Sequence, residues 1–179
     1  ADHIASLGLT ILENINSDVL STIYCPIDSF ELLDNFLVSF LSCNYNSDFV
    51  SKKKDKFYKL IGLSYGESFE LVFNKKKFII EVFKSNHRVP TISYGFNFVT
   101  KKLKEEYQNL QGKEIAKLKK EGVEINYELI VPSLLFVGDT DKIFFENTDI
   151  FKYKNIIIEC TFFDEGEIGM SSERKHMHW

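Results

Sequence analysis

Four histidines are spread over a chain of 179 residues, and each stands beside a turn or a chain end rather than on a helix face. His3 follows Asp2 ahead of a small-residue segment, and His87 comes directly after the apolar run KFIIEVFKSN. His176 and His178 lie in the last residues, and Asp139 sits in VGDT at the end of the apolar run SLLFV. Loops at strand ends are where α/β folds assemble sites. Imidazole nitrogen and carboxylate oxygen are the ligands that suit zinc and related divalent ions. Taken singly, each has a plainer reading. A histidine after a strand is commonly a hydrogen-bonded structural residue, and GDT is commonly a turn whose Asp caps the next segment. Their shared placement is what points to metal.

Such residues need elements to hold them. STIYC (21–25) reads as a strand, and DSFELLDNFLVSFL (28–41) carries Phe30, Leu33, Phe36, Leu37 and Phe40 at helical period, with Asp28 or Ser29 as its cap. The opening residues 1–9 read as a small-residue turn, and the lysine-rich stretch 43–55 reads as a loop. Strands are expected at 56–63, 68–73 and 77–83, the last two joined by the turn NKKK, and again at 94–99. The second half of 101–122 is helix-prone and ends on Gly122, as a C-cap would. SLLFVGD (133–139) and KNIIIECTF (154–162) are near-continuous apolar runs, as expected of strands buried on both faces. The mixture is α/β with more strand than helix, and no repeat, proline-rich linker or internal domain boundary interrupts it.

Composition narrows the field. A hydrophobic fraction of 44% with 17 Phe and 8 Tyr is enough for a substantial core, and a net charge of −4 does not mark an obligate nucleic-acid binder. Cys25, Cys43 and Cys160 fit neither a zinc-finger pattern nor a disulfide framework, so they read as buried thiols of a reducing compartment. No run reaches the roughly 18–20 apolar residues that span a bilayer. The expected setting is intracellular, cytoplasmic with an organelle left open.

In order along the chain, several segments resemble the ribonuclease Z branch of the metallo-β-lactamase superfamily. ADHIASL (1–7) resembles the tail of the HxHxDH signature, whose HxH part would lie upstream. NHRVPTISYGF (86–96) resembles that branch's next histidine segment, and LQGKEIAKLKKEGVEI (110–125) the compact loop after it. SLLFVGDTD (133–141) is similar to its strand ending in a bridging aspartate. IIIECTF (156–162) stands where the branch has a His-Glu-Ala-Thr motif, and KHMHW (175–179) resembles the following histidine motif. The resemblance implies a four-layer αβ/βα sandwich, incomplete here, with 1–179 a single domain lacking the N-terminal strands that bear HxH and its C-terminal end. The chain is thus expected to hold about half of a two-metal site.

That resemblance also implies roles. Two divalent ions, zinc by expectation, would be served by Asp2 and His3 for one and His87 for the other, with Asp139 bridging. Two cations about 3.5–4 Å apart lower the pKa of a shared water and clamp the attacking and leaving oxygens of a phosphodiester. Asp2 would also accept a proton from that water, and His176 would be the acid to the leaving oxygen, its ring oriented by Glu159. Two departures stand out: Ile158 and Cys160 replace the first and third residues of the His-Glu-Ala-Thr motif, and His178 competes with His176 for the acid position. The long arm that grips tRNA in many members of the branch is not visible.

The implied function is a metal-dependent endoribonuclease acting on RNA 3′ ends, most specifically the trailer of precursor tRNA, and the resemblance allows a homodimer. Lys52–Lys54, Lys101, Lys102, Lys104 and the lysines of 113–120 could supply phosphate contacts, although the plainer reading of such lysines is a solvated face. The alternatives are a small-molecule hydrolase of the same superfamily, cleaving a thioester, lactone or phosphodiester, and a catalytically silent scaffold of that fold.

Overall fold

The computed structural model describes Ile4 and residues 6–178. Among the described residues the fold is α/β, with five α-helices, a two-stranded sheet and a five-stranded sheet. The chain forms two compact units, one running up to Tyr65 and including Arg88–Ile92, the other made of Gly66–His87 and the chain from Ser93 onward.

In the first unit, α1 (Leu7–Asn16), β1 (Ser21–Pro26), α2 (Phe30–Ser42), α3 (Ser47–Lys53) and β2 (Tyr58–Leu63) come one after another. Leu33, Leu37 and Leu41 recur every fourth residue, so they form one stripe of α2, and they pack with Ile11 of α1, Val50 of α3 and Tyr58 of β2. β1 and β2 pair in parallel from Ser21↔Tyr58 to Pro26↔Leu63. Inside this core the Tyr58 hydroxyl donates to Asp34 at 2.7 Å, and Lys54 meets the other carboxylate oxygen at 2.6 Å.

Three expectations need correction here. Residues 7–9, the end of the stretch read as a turn, instead open the helix α1. The stretch 43–55 contains α3, whose N-terminus is capped by the Asn46 side chain accepting from the Phe49 amide at 3.1 Å. One buried residue, Val50, is too few to produce a visible period, so only the cap residue signalled this helix. Neither Asp28 nor Ser29 caps α2: both lie in a 3-10 turn, Ile27–Ser29, and Ser29 makes no capping bond.

The second unit holds β3 (Ser68–Phe73), β4 (Lys76–Lys84), β5 (Ile92–Leu103), α4 (Gly112–Lys120), β6 (Asn126–Phe136), β7 (Asn155–Ile157) and α5 (Ile168–Arg174). Its sheet runs in sequence order, β3-β4-β5-β6-β7. The β3–β4 hairpin turns on Asn74 and Lys75, both left-handed, as a two-residue hairpin loop requires. Gly122 comes after α4 with φ of +77°, the C-terminal glycine expected there. β5 and β6 are antiparallel with Tyr94 opposite Phe136, whereas β6 and β7 are parallel with Phe136 opposite Ile157. The start of β5 and the ends of β6 and β7 therefore meet at one edge. That edge carries the site.

The runs at 133–139 and 154–162 do not form strands buried on both faces. In β6, Leu135 is fully buried while its neighbour Phe136 is 49% exposed, and β7 is only three residues long with Ile157 53% exposed. Apolar composition alone did not reveal this alternation: one face packs on Phe144, Ile150 and Tyr153, and the other stays partly open among the described residues. The cysteines also differ from expectation. All three are free, but only Cys25 is buried, Cys160 is half-buried and Cys43 is exposed.

Behind β5 the packing is tight. Buried Asn97 donates to the Ile79 carbonyl at 3.0 Å, and the Tyr153 hydroxyl donates to Glu81 at 2.6 Å beside Lys152. Burial works against the Glu81 charge, but Lys152 and Tyr153 outweigh it and hold the carboxyl below its ordinary range. A Cβ on Gly95 would collide with the Tyr153 ring and hydroxyl and crowd Phe83. Gly→Ala in an open strand stabilises by about 0.5–1 kcal/mol. Here Gly95→Ala should instead cost roughly 2–4 kcal/mol, combining overpacking with a lost buried hydrogen bond. Urea unfolding of the variant reads the sign directly. No helix among the described residues is long and apolar enough to cross a membrane.

Candidate metal centre

Three segments reach the edge just described: 85–87 after β4, 138–141 after β6, and 175–176 after α5. They bring His87, Asp139 and His176 together, with one ligand atom from each lying within 4.8 Å of the others. His87 Nε2 is 3.9 Å from Asp139 Oδ2, and the His87 and His176 rings meet edge to face with centroids 4.8 Å apart. All three side chains are largely withdrawn from solvent.

Polar contacts fix each segment. The Ser93 hydroxyl, fully buried at the start of β5, accepts the Gly138 amide at 3.1 Å and pairs with Ser85 Oγ at 2.6 Å. The Asn86 amide donates to Thr140 Oγ1 at 2.9 Å, and the Asn86 side chain donates to Asp141 Oδ2 at 2.7 Å. Lys175 Nζ donates to Asn86 Oδ1 at 3.3 Å. Asp141 has a second duty: its other oxygen accepts the Ile143 amide at 2.9 Å and caps the 3-10 turn Lys142–Glu146.

The histidine rings are oriented from behind. His87 Nδ1 is 3.0 Å from the Lys175 carbonyl, an acceptor only, so Nδ1 carries a proton and Nε2 is the ring nitrogen that faces Asp139. Lys175 adopts a left-handed backbone, φ 54° and ψ 54°, which ends α5 and turns that carbonyl toward His87. His176 Nδ1 lies 3.1 Å from Glu159 Oε1. Glu159 is itself held by the Met177 amide at 2.9 Å and the Thr161 hydroxyl at 2.6 Å. Burial would raise the Glu159 carboxyl; these hydrogen bonds from Thr161, Met177 and His176 outweigh it and keep the carboxyl below its ordinary range. An anionic Glu159 accepts from Nδ1–H of His176 and so fixes that tautomer of the ring.

The donor set fits a divalent cation. His87 Nε2 and Asp139 Oδ2, 3.9 Å apart, are within reach of one ion at metal–ligand bonds of about 2.0–2.2 Å, and the His176 imidazole stands beside them. Of the expected site residues, His87, Asp139, His176 and Glu159 are thus brought together. Asp2 and His3 lie outside the described residues. His178 is turned elsewhere, its Nε2 donating to the Asp164 carbonyl at 2.8 Å. Ile158, standing where the resembled motif has histidine, packs against the core cluster that holds Leu135, Ile150 and Tyr153, and the neighbouring Glu159 reaches His176. Ser93, Asn86, Thr140, Asp141, Thr161 and Lys175 were not expected. Their only signal was position, one or two residues from a candidate ligand or from Glu159, or at the head of the neighbouring strand.

Long stretches of this sequence are shared with known proteins. The chain is 34% identical over 125 residues to tRNase Z TRZ1 of Arabidopsis thaliana, a match covering 68% of this chain and 44% of that protein. It is 37% identical over 110 residues to the chloroplastic tRNase Z TRZ2 of the same plant, covering 60% of this chain and 30% of the relative. A nuclear ribonuclease Z of Triticum aestivum matches at 38% over 68 residues, which is 38% of this chain and 37% of that protein. The chain is similar to ribonuclease Z. It spans less than half the length of each of these ribonuclease Z relatives, and no family model matches it.

Proposed function

We propose that the chain contributes to a ribonuclease Z-like, metal-dependent endoribonuclease that removes the 3′ trailer of precursor tRNA. The convergence of His87, Asp139 and His176, with Glu159 behind His176, carries this reading. The names of the similar proteins support the substrate class. The fold would be a metallo-β-lactamase-type αβ/βα sandwich, with 1–179 as part of one such domain and Asp2 and His3 completing the ligand set.

His87 Nε2 and Asp139 would hold divalent ions, zinc by ligand type. When bound, such ions supply Lewis acidity to the attacking and leaving oxygens of a phosphodiester. The chain's own residues do the rest. Asp139 offers two oxygens where a histidine offers one nitrogen. His176, with Nδ1 engaged by Glu159, keeps Nε2 to deliver a proton to the departing oxygen, and Glu159 stabilises the imidazolium before transfer. Asp2 would take the proton of the attacking water. The exposed lysines of α4 together with Lys101 and Lys102 on β5 would meet phosphates; Lys101 and Lys119 line one cleft of about 330 Å³. The three free cysteines favour a reducing intracellular compartment, cytoplasmic or organellar.

The test is cleavage of a precursor tRNA with a labelled 3′ trailer by the whole protein, before and after chelation. Trailer release that chelator abolishes and zinc restores is the expected result. Hydrolysis of a nitrophenyl phosphodiester with no action on the precursor would place the protein among small-molecule hydrolases. Trailer release indifferent to chelation would overturn the metal reading.

A further inference from the structure

We infer that Asn86 is a positioning residue that holds the three segments of the metal centre at a common spacing, an inference that rests on the reading of that centre as metal-binding. Asn86 reaches three partners through three different groups. Its backbone N–H goes to Thr140, its side-chain N–H to Asp141, and its side-chain oxygen receives Lys175. Asn86 immediately precedes His87, Thr140 comes directly after Asp139, and Lys175 immediately precedes His176. Each of these contacts therefore lies one or two residues from Asp139 or from His176, while Asn86 itself adjoins His87.

Lys175 closes the bracket a second time, because its carbonyl accepts the Nδ1–H of His87. Moving the 175–176 segment would thus disturb a ligand ring and the acid together. The chemistry requires an amide at position 86. Its oxygen faces an ammonium and its nitrogen faces a carboxylate, so it must accept on one side and donate on the other. A carboxylate there would suit Lys175 but confront Asp141 at hydrogen-bond distance, where two like charges repel. Alanine would leave Asp141, nine-tenths buried, without one of its two donors.

This gives a reciprocal test. Exchanging the two groups, Asn86→Asp together with Asp141→Asn, restores a donor opposite an acceptor: the new amide donates to the new carboxylate, which also pairs with Lys175. The amide oxygen at 141 can still accept the Ile143 amide and keep that cap.

Metal-free whole protein is titrated with cobalt(II), tracking the ligand-field absorption, and the melting temperature of the metal-free form is recorded in parallel. Asn86→Ala and Asn86→Asp should each weaken cobalt binding by about 10–100-fold, the usual effect of losing a group that orients metal ligands. The exchanged pair should return to within about threefold of the original. Precursor cleavage should keep the same order. If Asn86→Ala does not fold, Asn86→Asp read against the exchanged pair decides the point. Cobalt affinities of both single variants within twofold of the parent would overturn the inference while leaving the metal centre intact. So would an exchanged pair that melts like the parent yet stays as weak as Asn86→Asp. A parent protein that takes up no cobalt would instead overturn the metal reading beneath it, and the inference with it.

Discussion

Asp139→Ala should abolish hydrolysis and empty the centre of metal. Asp139 is the carboxylate in the cluster with His87 and His176, and its side chain is only 16% exposed. Removing it leaves the His87 imidazole to face a doubly charged cation, and it takes away the one group of the cluster able to serve two ions through two oxygens. A stabilisation of several kcal/mol is at stake, and each 1.36 kcal/mol is tenfold in rate, so the loss should reach about 10³-fold or more. Elemental analysis of the purified variant should find zinc well below the parent's content. Asp139→Asn, which keeps shape and one oxygen but not charge, should fall between. Two equivalents of zinc together with full activity in Asp139→Ala would reduce Gly138–Asp139–Thr140 to an ordinary turn.

His176→Ala should produce a loss that depends on the leaving group. If His176 delivers a proton to the departing oxygen, precursor tRNA, whose ribose alcohol leaves poorly as an anion, should be cleaved about 10²–10⁴-fold more slowly. A nitrophenyl phosphodiester releases a stable phenolate, needs little protonation and should lose far less. Metal content should hold nearly steady. Glu159→Gln should show the same dependence in weaker form, since an amide can still accept from Nδ1–H but no longer stabilises the imidazolium. His178→Ala should do little, because that ring is spent on the Asp164 carbonyl. Equal losses on both substrates, with zinc stripped, would make His176 a ligand and place the acid elsewhere; its position within the same 4.8 Å cluster as His87 and Asp139 makes this the sharpest alternative.

The clustered groups were legible in the sequence because imidazoles are scarce there and each stood beside a turn or a chain end. His87, Asp139, His176 and the partner Glu159 were all named from type, order and resemblance. The ordering of the rings was not legible. Asn86 and Asp141 lie 55 residues apart and meet only because the sheet brings the head of β5 beside the tail of β6. Asparagine in a turn also has a local explanation that needs no distant partner. The hairpin β3–β4 and the end of α4 were anticipated because period and turn residues are local. α3 and the one-sided burial of β6 were not, since a seven-residue helix has almost no period and LLFV reads alike whether one face is covered or both. Asp2 and His3 lie outside the described residues, so the far half of the ligand set stays with the resemblance.

The alternation after β7 bears on how this protein can change over time. Ile158 faces the core and Glu159 faces His176, so a single peptide step separates packing from chemistry. Lengthening or shortening the chain by one residue between Asn155 and Glu159 would exchange the two, sending a carboxylate into the core around Leu135 and Tyr153 and an isoleucine to the imidazole. Insertions and deletions here should disturb the packing and the proposed acid's support at once. The turn at Asn74–Lys75 belongs to a hairpin whose outer residues Val72 and Phe73 are already exposed, so it can grow or shrink without touching either. Length changes should therefore be tolerated in such loops, while the stretch from Asn155 to Glu159 should accept substitutions but not insertions or deletions.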